Sequence, residues 1–264
     1  MENLEYDKKV IIKEIKKFTP GYIDYKKLLP ENWVINQENY EFSKSDVIIV
    51  PSSFSKKTFS NKKYFKKIKI NNIITNIEAK KNPGRLSKNF KIIYVGDFSI
   101  RKGIHRLLDS LIDINDDNIS LTLIGGKLED HAFAKYIKNL IEKSQFKIEI
   151  KGKLSKDKLK KYYEETNLMV FPSLCDGYGI VVNEAISYGI PVICSIYAGS
   201  SDIIKRYNLG YTYDPYVRDN LLKKISTIRQ EKNYENICTN IKNYQKNVSK
   251  LKLKYENFIL KAIN

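Results

Sequence analysis

The sequence is poor in the side chains that build metal centres and disulfide frameworks: among 264 residues there are 3 cysteines, 2 histidines, 2 methionines and 1 tryptophan. Cys175, Cys194 and Cys238 are odd in number and show no C-x-x-C spacing, so neither a disulfide scaffold nor a zinc site is indicated. Cys194 lies in the apolar run IPVIC, where a small packed hydrophobe is expected. His105 and His131 stand apart within helical patterns and are expected in structural or surface roles. Arginine is scarce as well: of 47 basic residues, 41 are Lys and 6 are Arg. The arginine fork reads phosphate and base edges bidentately, whereas lysine is a flexible point charge, so the composition speaks against specific nucleic-acid recognition. Long apolar runs are missing too. No stretch approaches the ~20 residues that span a bilayer. The N-terminal MENLEYDKKVIIKEIKKF is too charged to hold the apolar core of a signal peptide, which makes a cytoplasmic location the expectation.

What is abundant is lysine. The formal net charge is +17, and residues 1–90 carry 19 basic against 10 acidic side chains, a net +9 in about a third of the chain. Within them the stretch Lys56–Lys69 holds seven lysines (Lys56, Lys57, Lys62, Lys63, Lys66, Lys67 and Lys69) and no acid, with Phe59, Tyr64 and Phe65 interleaved. It reads either as a solvated helix face or as a patch for an anionic surface, a membrane placing the protein at its periphery or a non-specific nucleic acid.

With 42% hydrophobic and 29% charged residues, the chain suits one or two ordinary domains. Short β-branched runs recur at helix-length intervals: Asp46–Pro51, Ile68–Ile74, Lys91–Val95, Ile119–Ile124, Lys147–Ile150, Leu168–Phe171 and Ile190–Cys194. Helical periodicity fills the gaps, as in Ile104, Leu107, Leu108, Leu111 and Ile112. This alternation predicts an α/β, Rossmann-like, doubly wound parallel sheet. Residues 76–90, with Pro83-Gly84, read as a linker. The expected division is a partial unit over 1–82 with too few strands to close a sheet, a complete domain over 83–230, and a long helix over 231–264. That helix carries an apolar stripe, Ile237, Ile241, Tyr244, Val248, Leu251, Tyr255, Phe258 and Ala262. The stripe is expected to dock on the protein's own domains.

Two segments carry chemistry. In KIIYVGDFSIRKGIHRLLDSL (91–111) a strand runs into Gly96, a short loop bears Arg101, Lys102 and Gly103, and an amphipathic helix follows. A lysine beside the free N–H groups of a helix start makes an anion site. In LMVFPSLCDGYGIVVNEAISYGIPVICS (168–195) a strand leads through Asp176, Gly177, Tyr178 and Gly179 into a helix. Glycines there let backbone amides approach a ligand as closely as a pyrophosphate requires. Asp176 just before that helix and Glu184 two turns in are carboxylates suited to sugar hydroxyls if both face one crevice; otherwise Asp176 is a helix-terminal charge and Glu184 a surface residue.

The order VG…RKG, LTLIGG, IKGKLSKDKLKKYYEETNLMVFPS, DGYGIVVNEAISYGIPVI, AGSSDII and LGYTYD resembles the donor-binding half of retaining GT-B glycosyltransferases of family 4 over roughly residues 91–230. ENYEFSKSDVIIVPSSFSKKTF resembles, more weakly, the end of that family's acceptor half. The resemblance implies a nucleotide-diphosphate sugar as donor substrate, transfer with retention, and no metal or other cofactor. It places Lys102 on the diphosphate, with Arg101 assisting. It places Glu184 on the ribose hydroxyls, Asp176 on the transferred sugar, and Gly177, Tyr178, Gly179 and Ile180 beside the phosphates and sugar. Gly96 falls at the strand end under the donor, and Gly152 and Lys153 border the nucleobase. It also implies that the terminal helix crosses back toward the N-terminal part. Two departures stand out: Asp97 occupies a position where the family often has arginine, and Asp176 one where it has glutamate. The short N-terminal part implies a transferase that works with a separately encoded acceptor subunit or as a short variant; the alternative is a non-catalytic donor-binding or scaffold subunit of a glycosyltransferase complex.

Overall fold

The computed structural model of the chain describes residues 6, 8–10, 12–14, 31–59, 61–73, 86, 88–126 and 132–263. His131, the Pro83-Gly84 pair and most of the expected linker lie outside them.

Six strands rich in β-branched and aromatic residues pair entirely in parallel: β3 (Phe90–Gly96), β4 (Ile119–Gly125), β5 (Lys147–Gly152), β6 (Leu168–Phe171), β7 (Val192–Ser195) and β8 (Gly210–Tyr213). Their order is β5-β4-β3-β6-β7-β8, the doubly wound arrangement expected from the sequence. β8, which the run-by-run reading does not include, is a half-exposed edge strand, GYTY, whose alternation of polar and aromatic residues gives no apolar run. The inner strands β6 and β7 are buried at every residue, as a sheet covered on both faces demands.

Helices α3 (Ile104–Leu111), α4 (Ala132–Lys143) and α8 (Arg218–Ile228) cover one face, with α3 against both of the others. On the opposite side lie α6 (Ile180–Ser187), α7 (Ser201–Tyr207) and the start of the long α9 (Glu231–Ile263). α5 (Lys156–Glu165) carries the chain from the β5 edge back to β6 beside β3. Ile237, Ile241, Tyr244 and Val248 of the expected stripe are buried in the core that runs through this domain. Gln245 Nε2 fixes the helix by donating to the carbonyls of Ile186 (2.6 Å) and Ser187 (3.2 Å).

The N-terminal part is smaller in kind. β1 (Ile48–Val50) and β2 (Ile68–Ile70) form a two-stranded parallel sheet beside α1 (Asn32–Lys44) and α2 (Ser53–Thr58). A separate core of Phe42, Ile48, Val50, Phe59, Tyr64 and Ile68 fills it. The lysine-rich stretch is not one helix face. It spans α2, a 3-10 turn at Lys62–Tyr64 and β2, and Lys67 Nζ turns inward to the Ser45 carbonyl at 2.7 Å.

Candidate functional site

The strand order reverses between β3 and β6, so the loops leaving their carboxyl ends part and open a crevice there. Both loops come from the segments singled out in the sequence. They are laced together: Leu174 N donates to Arg101 O (2.9 Å), Ser173 Oγ to the same carbonyl (3.2 Å), and the Arg101 guanidinium to Cys175 O (2.9 Å). Gly103, at φ 70°, starts α3 so close to the second loop that a Cβ would sit 2.1 Å from Pro172 O. Gly179, at φ 85°, starts α6 in the same way against the Phe171 ring, which a Cβ would approach to 2.5 Å.

The cleft has a volume of about 350 Å³, and its floor and walls include Gly96, Lys102, Asp176, Tyr178, Gly179 and Ile180. Residues more than seventy positions apart in sequence thus meet in one place. Ile73, Val95, Phe171 and Val181 complete the lining. Val95, Phe171 and Val181 read in the sequence only as apolar positions of a strand or helix. Ile73 comes from the N-terminal part, where nothing in its local pattern marks it.

Lys102 Nζ makes an ion pair with the Asp176 carboxylate, the two side chains 20% and 11% exposed. The ammonium also lies 5.8 Å from the centroid of the Phe171 ring. Asp176 Oδ1 accepts the Tyr178 amide at 3.2 Å, so the carboxylate is held from two sides. Behind Gly96, Tyr94 donates its hydroxyl to Asp97 O (2.7 Å); burial, reinforced by the charges of Asp97 and Asp176, pushes this phenol well above its ordinary value. Tyr94 therefore stays protonated. Burial likewise pushes the Cys194 thiol up to about 12 and the Cys238 thiol up to about 11, so both stay protonated, and all three cysteines are buried and form no disulfide.

Other expected site residues stand outside the lining. Arg101 is turned to the Cys175 carbonyl, and Gly177 faces the N-terminal part. Gly152 ends the edge strand β5 and Lys153 follows it. Glu184 is exposed and accepts a hydrogen bond from Tyr163 Oη at 3.1 Å. It lies one turn beyond the cleft-lining Ile180 and Val181, on the same face of α6. Asp97 is exposed and does not line the cleft.

The N-terminal part closes over the second loop. Ser52 and Ser55 both donate to Gly177 O, at 2.8 and 3.0 Å, and Tyr178 Oη donates to Ile73 O. Nothing in the local pattern of SSFS marks these serines. Ser52 caps α2, its Oγ accepting from Ser55 N at 2.9 Å, and that turn is what presents both serines to the loop.

Comparison with known proteins is consistent with this geometry. Two uncharacterized glycosyltransferases of Methanocaldococcus jannaschii share 27% identity over 179 residues, 66% of this chain and 43% of the relative, and 30% over 166 residues, 62% and 44%. The chain thus spans less than half the length of these curated relatives. Among solved structures, sucrose-phosphate synthase from Thermosynechococcus elongatus matches with a TM-score of 0.72 at 18% identity, covering 96% of this chain and 66% of that one. Anabaena HepE in complex with UDP and glucose matches with a TM-score of 0.69 at 18% identity, covering 84% and 65%. These likenesses establish a GT-B type fold. Residues 76–249, the whole of the domain that bears the cleft, match the family of glycosyl transferases group 1, and the chain belongs to that family.

Proposed function

We propose that the cleft between β3 and β6 binds a nucleotide-diphosphate sugar, and that the chain transfers this sugar with retention of configuration in the manner of family 4. The observation that carries the reading is the convergence of Lys102, Asp176 and the start of α6 on one cavity at the carboxyl end of the central strands. The first amides of α6 have no intrahelical acceptor and, with Lys102, meet the charge that grows on a departing diphosphate. The acceptor hydroxyl oxygen forms the new bond to the sugar's anomeric carbon. The bond to the diphosphate breaks with its electron pair, and the hydroxyl proton passes to the leaving phosphate oxygen. In this reading the diphosphate charge is carried by the chain's own groups, without a metal. Complexes of HepE with UDP and with UDP-glucose support the donor class.

A diphosphate entering the cleft competes with Asp176 for Lys102. Once displaced, the carboxylate is free to accept a sugar hydroxyl, the role the family resemblance gives it. Glu184, beyond Ile180 on the same helix face, is the ribose contact for a ligand that extends out of the cleft. Arg101, Gly152, Lys153 and Gly177 serve as backbone and loop support around it. Calorimetric titration with UDP, GDP and their sugars tests the reading; absence of binding by all of them at millimolar concentration would remove it.

In this reading acceptor chemistry belongs to the N-terminal side, either of this chain as a short variant or with a separately encoded acceptor subunit. A second reading, a donor-binding subunit without turnover, is favoured by the closed Lys102–Asp176 pair. Transfer or donor hydrolysis by the chain alone would sink it. Exposed Trp33, Tyr40, Phe65 and Ile70 in the lysine-rich N-terminal part support docking on anionic membrane, tested by flotation with anionic vesicles.

A further inference from the structure

A second cavity, of about 310 Å³, lies between α2 and the loop that follows β7. Its volume is at the lower end of the range of about 300–1,000 Å³ typical of small-molecule sites. Three aromatic rings form a connected wall: Tyr6 meets Phe54 edge-on at 5.8 Å, and Phe54 meets Tyr197 edge-on at 6.4 Å. Lys57 and Lys205 also line the space, and neither has a carboxylate partner among the described residues. The one acid in the lining, Asp202, is already engaged, accepting from Ser53 N (2.7 Å) and Ser53 Oγ (2.5 Å). The cavity therefore offers two unpaired ammonium groups beside aromatic faces. Aromatic rings stack on the C–H faces of a sugar ring, and ammonium groups bind phosphate.

The second cavity adjoins the first through a single stretch of backbone. Asp176, in the first cleft, donates its amide to the carbonyl of Tyr197, in the second, at 3.1 Å. Ser53 lines the second cavity between Ser52 and Ser55, which hold Gly177 O.

We propose that this cavity is the acceptor subsite and that it takes a phosphate-bearing sugar, free or as a lipid headgroup. The ring packs on Tyr6, Phe54 and Tyr197, and the phosphate lies between Lys57 and Lys205. This rests on the donor reading only for the word acceptor; the binding itself does not depend on it. No bond changes at the phosphate, which serves to hold the acceptor against the neighbouring cleft.

The test is calorimetric titration of glucose 1-phosphate into protein saturated with UDP, so that the cleft at Lys102 is filled. Binding is expected to persist and to weaken by about tenfold or more in the Lys57→Gln/Lys205→Gln double variant, since each lost ammonium removes a charge-assisted contact. Both lysines are exposed, so the fold is retained and UDP affinity stays unchanged. Tyr197→Ala is expected to weaken glucose 1-phosphate but not inorganic phosphate, and Lys102→Ala to leave glucose 1-phosphate binding as it is. Displacement of glucose 1-phosphate by UDP, indifference to the double variant, or equal affinity for inorganic phosphate overturns the assignment. Should UDP fail to bind, the donor reading falls, and the same titration without UDP still decides this one. Flotation with phosphatidylinositol vesicles identifies the source. Binding to them that the double variant loses puts the phosphate on a lipid, whereas binding of glucose 1-phosphate alone puts it on a free sugar; both results uphold the subsite.

Discussion

The two parts of the chain differ in how they are held together. The domain that bears the cleft has six paired strands and one continuous core that reaches from Phe90 to Val248. Among its described residues the N-terminal part has two paired strands and a core of six side chains. A two-stranded sheet is marginal alone. Polar contacts tie the smaller part to the larger: the Ser52 and Ser55 bonds to Gly177 O, the Ser53 bonds to Asp202, and the Tyr178 bond to Ile73 O. A further contact is buried. Glu14 accepts from Arg106 through both oxygens (3.0 and 3.1 Å) and pairs with His105 Nε2 at 3.0 Å. The large domain orders the small one, and the same seam bounds both cavities. Function at this seam is thereby coupled to docking rather than to the core of either part.

Glu14→Ala should break the comparison most sharply. It leaves Arg106 buried without its carboxylate, a loss of about 3–5 kcal/mol for such pairs. The expected result in hydrogen exchange is early opening of residues 31–73 while the six-stranded sheet stays protected. Uniform loss of protection would instead show that the two parts unfold as one.

Acid should act at the same place. Burial holds His105 below its ordinary 6.5, against the pull of Glu14. Burial raises Glu14, but its hydrogen bonds to His105 and Arg106 outweigh this and hold it below 4.5. Both groups bind protons more readily when unfolded. Their contribution is therefore complete above pH 6.5 and is lost progressively as pH falls through the depressed values. A pH titration of N-terminal hydrogen-exchange protection checks this, and protection that rises on acidification would contradict it.

Lys102→Ala is expected to weaken UDP binding by about 10–100-fold, the worth of one charge-assisted contact. Stability should also fall, by less than in Glu14→Ala, because Asp176 loses its cation but keeps the Tyr178 amide. Ser52→Ala comes next, costing about 0.5–2 kcal/mol as a lost helix cap, and it should loosen α2 before it affects UDP. Smallest is chelation: EDTA is expected to leave UDP affinity unchanged, as calorimetry would show.

Much of the six-stranded domain is legible in the sequence because its signals are local. A buried parallel strand is a β-branched run, and Gly103 and Gly179 stand where left-handed backbone starts a helix against a neighbouring loop. β8 is harder to read because an edge strand needs no apolar run. The seam is less legible still. Ser52, Ser55 and Ile73 act through partners about 105 to 125 positions away, a separation that no residue pattern encodes. Glu184 is a mixed case: the sequence places it one turn beyond the cleft-lining Ile180, but nothing in its spacing from Asp176 foretells that it stands outside the lining and accepts from Tyr163.

The most direct test of the account is UDP titration of Asp176→Asn beside the wild type and Lys102→Ala. If Lys102 is the diphosphate contact and Asp176 its competitor, Asp176→Asn binds UDP more tightly than the wild type and Lys102→Ala more weakly. Equal affinities in all three would contradict the assignment of the cleft between β3 and β6 as the donor site.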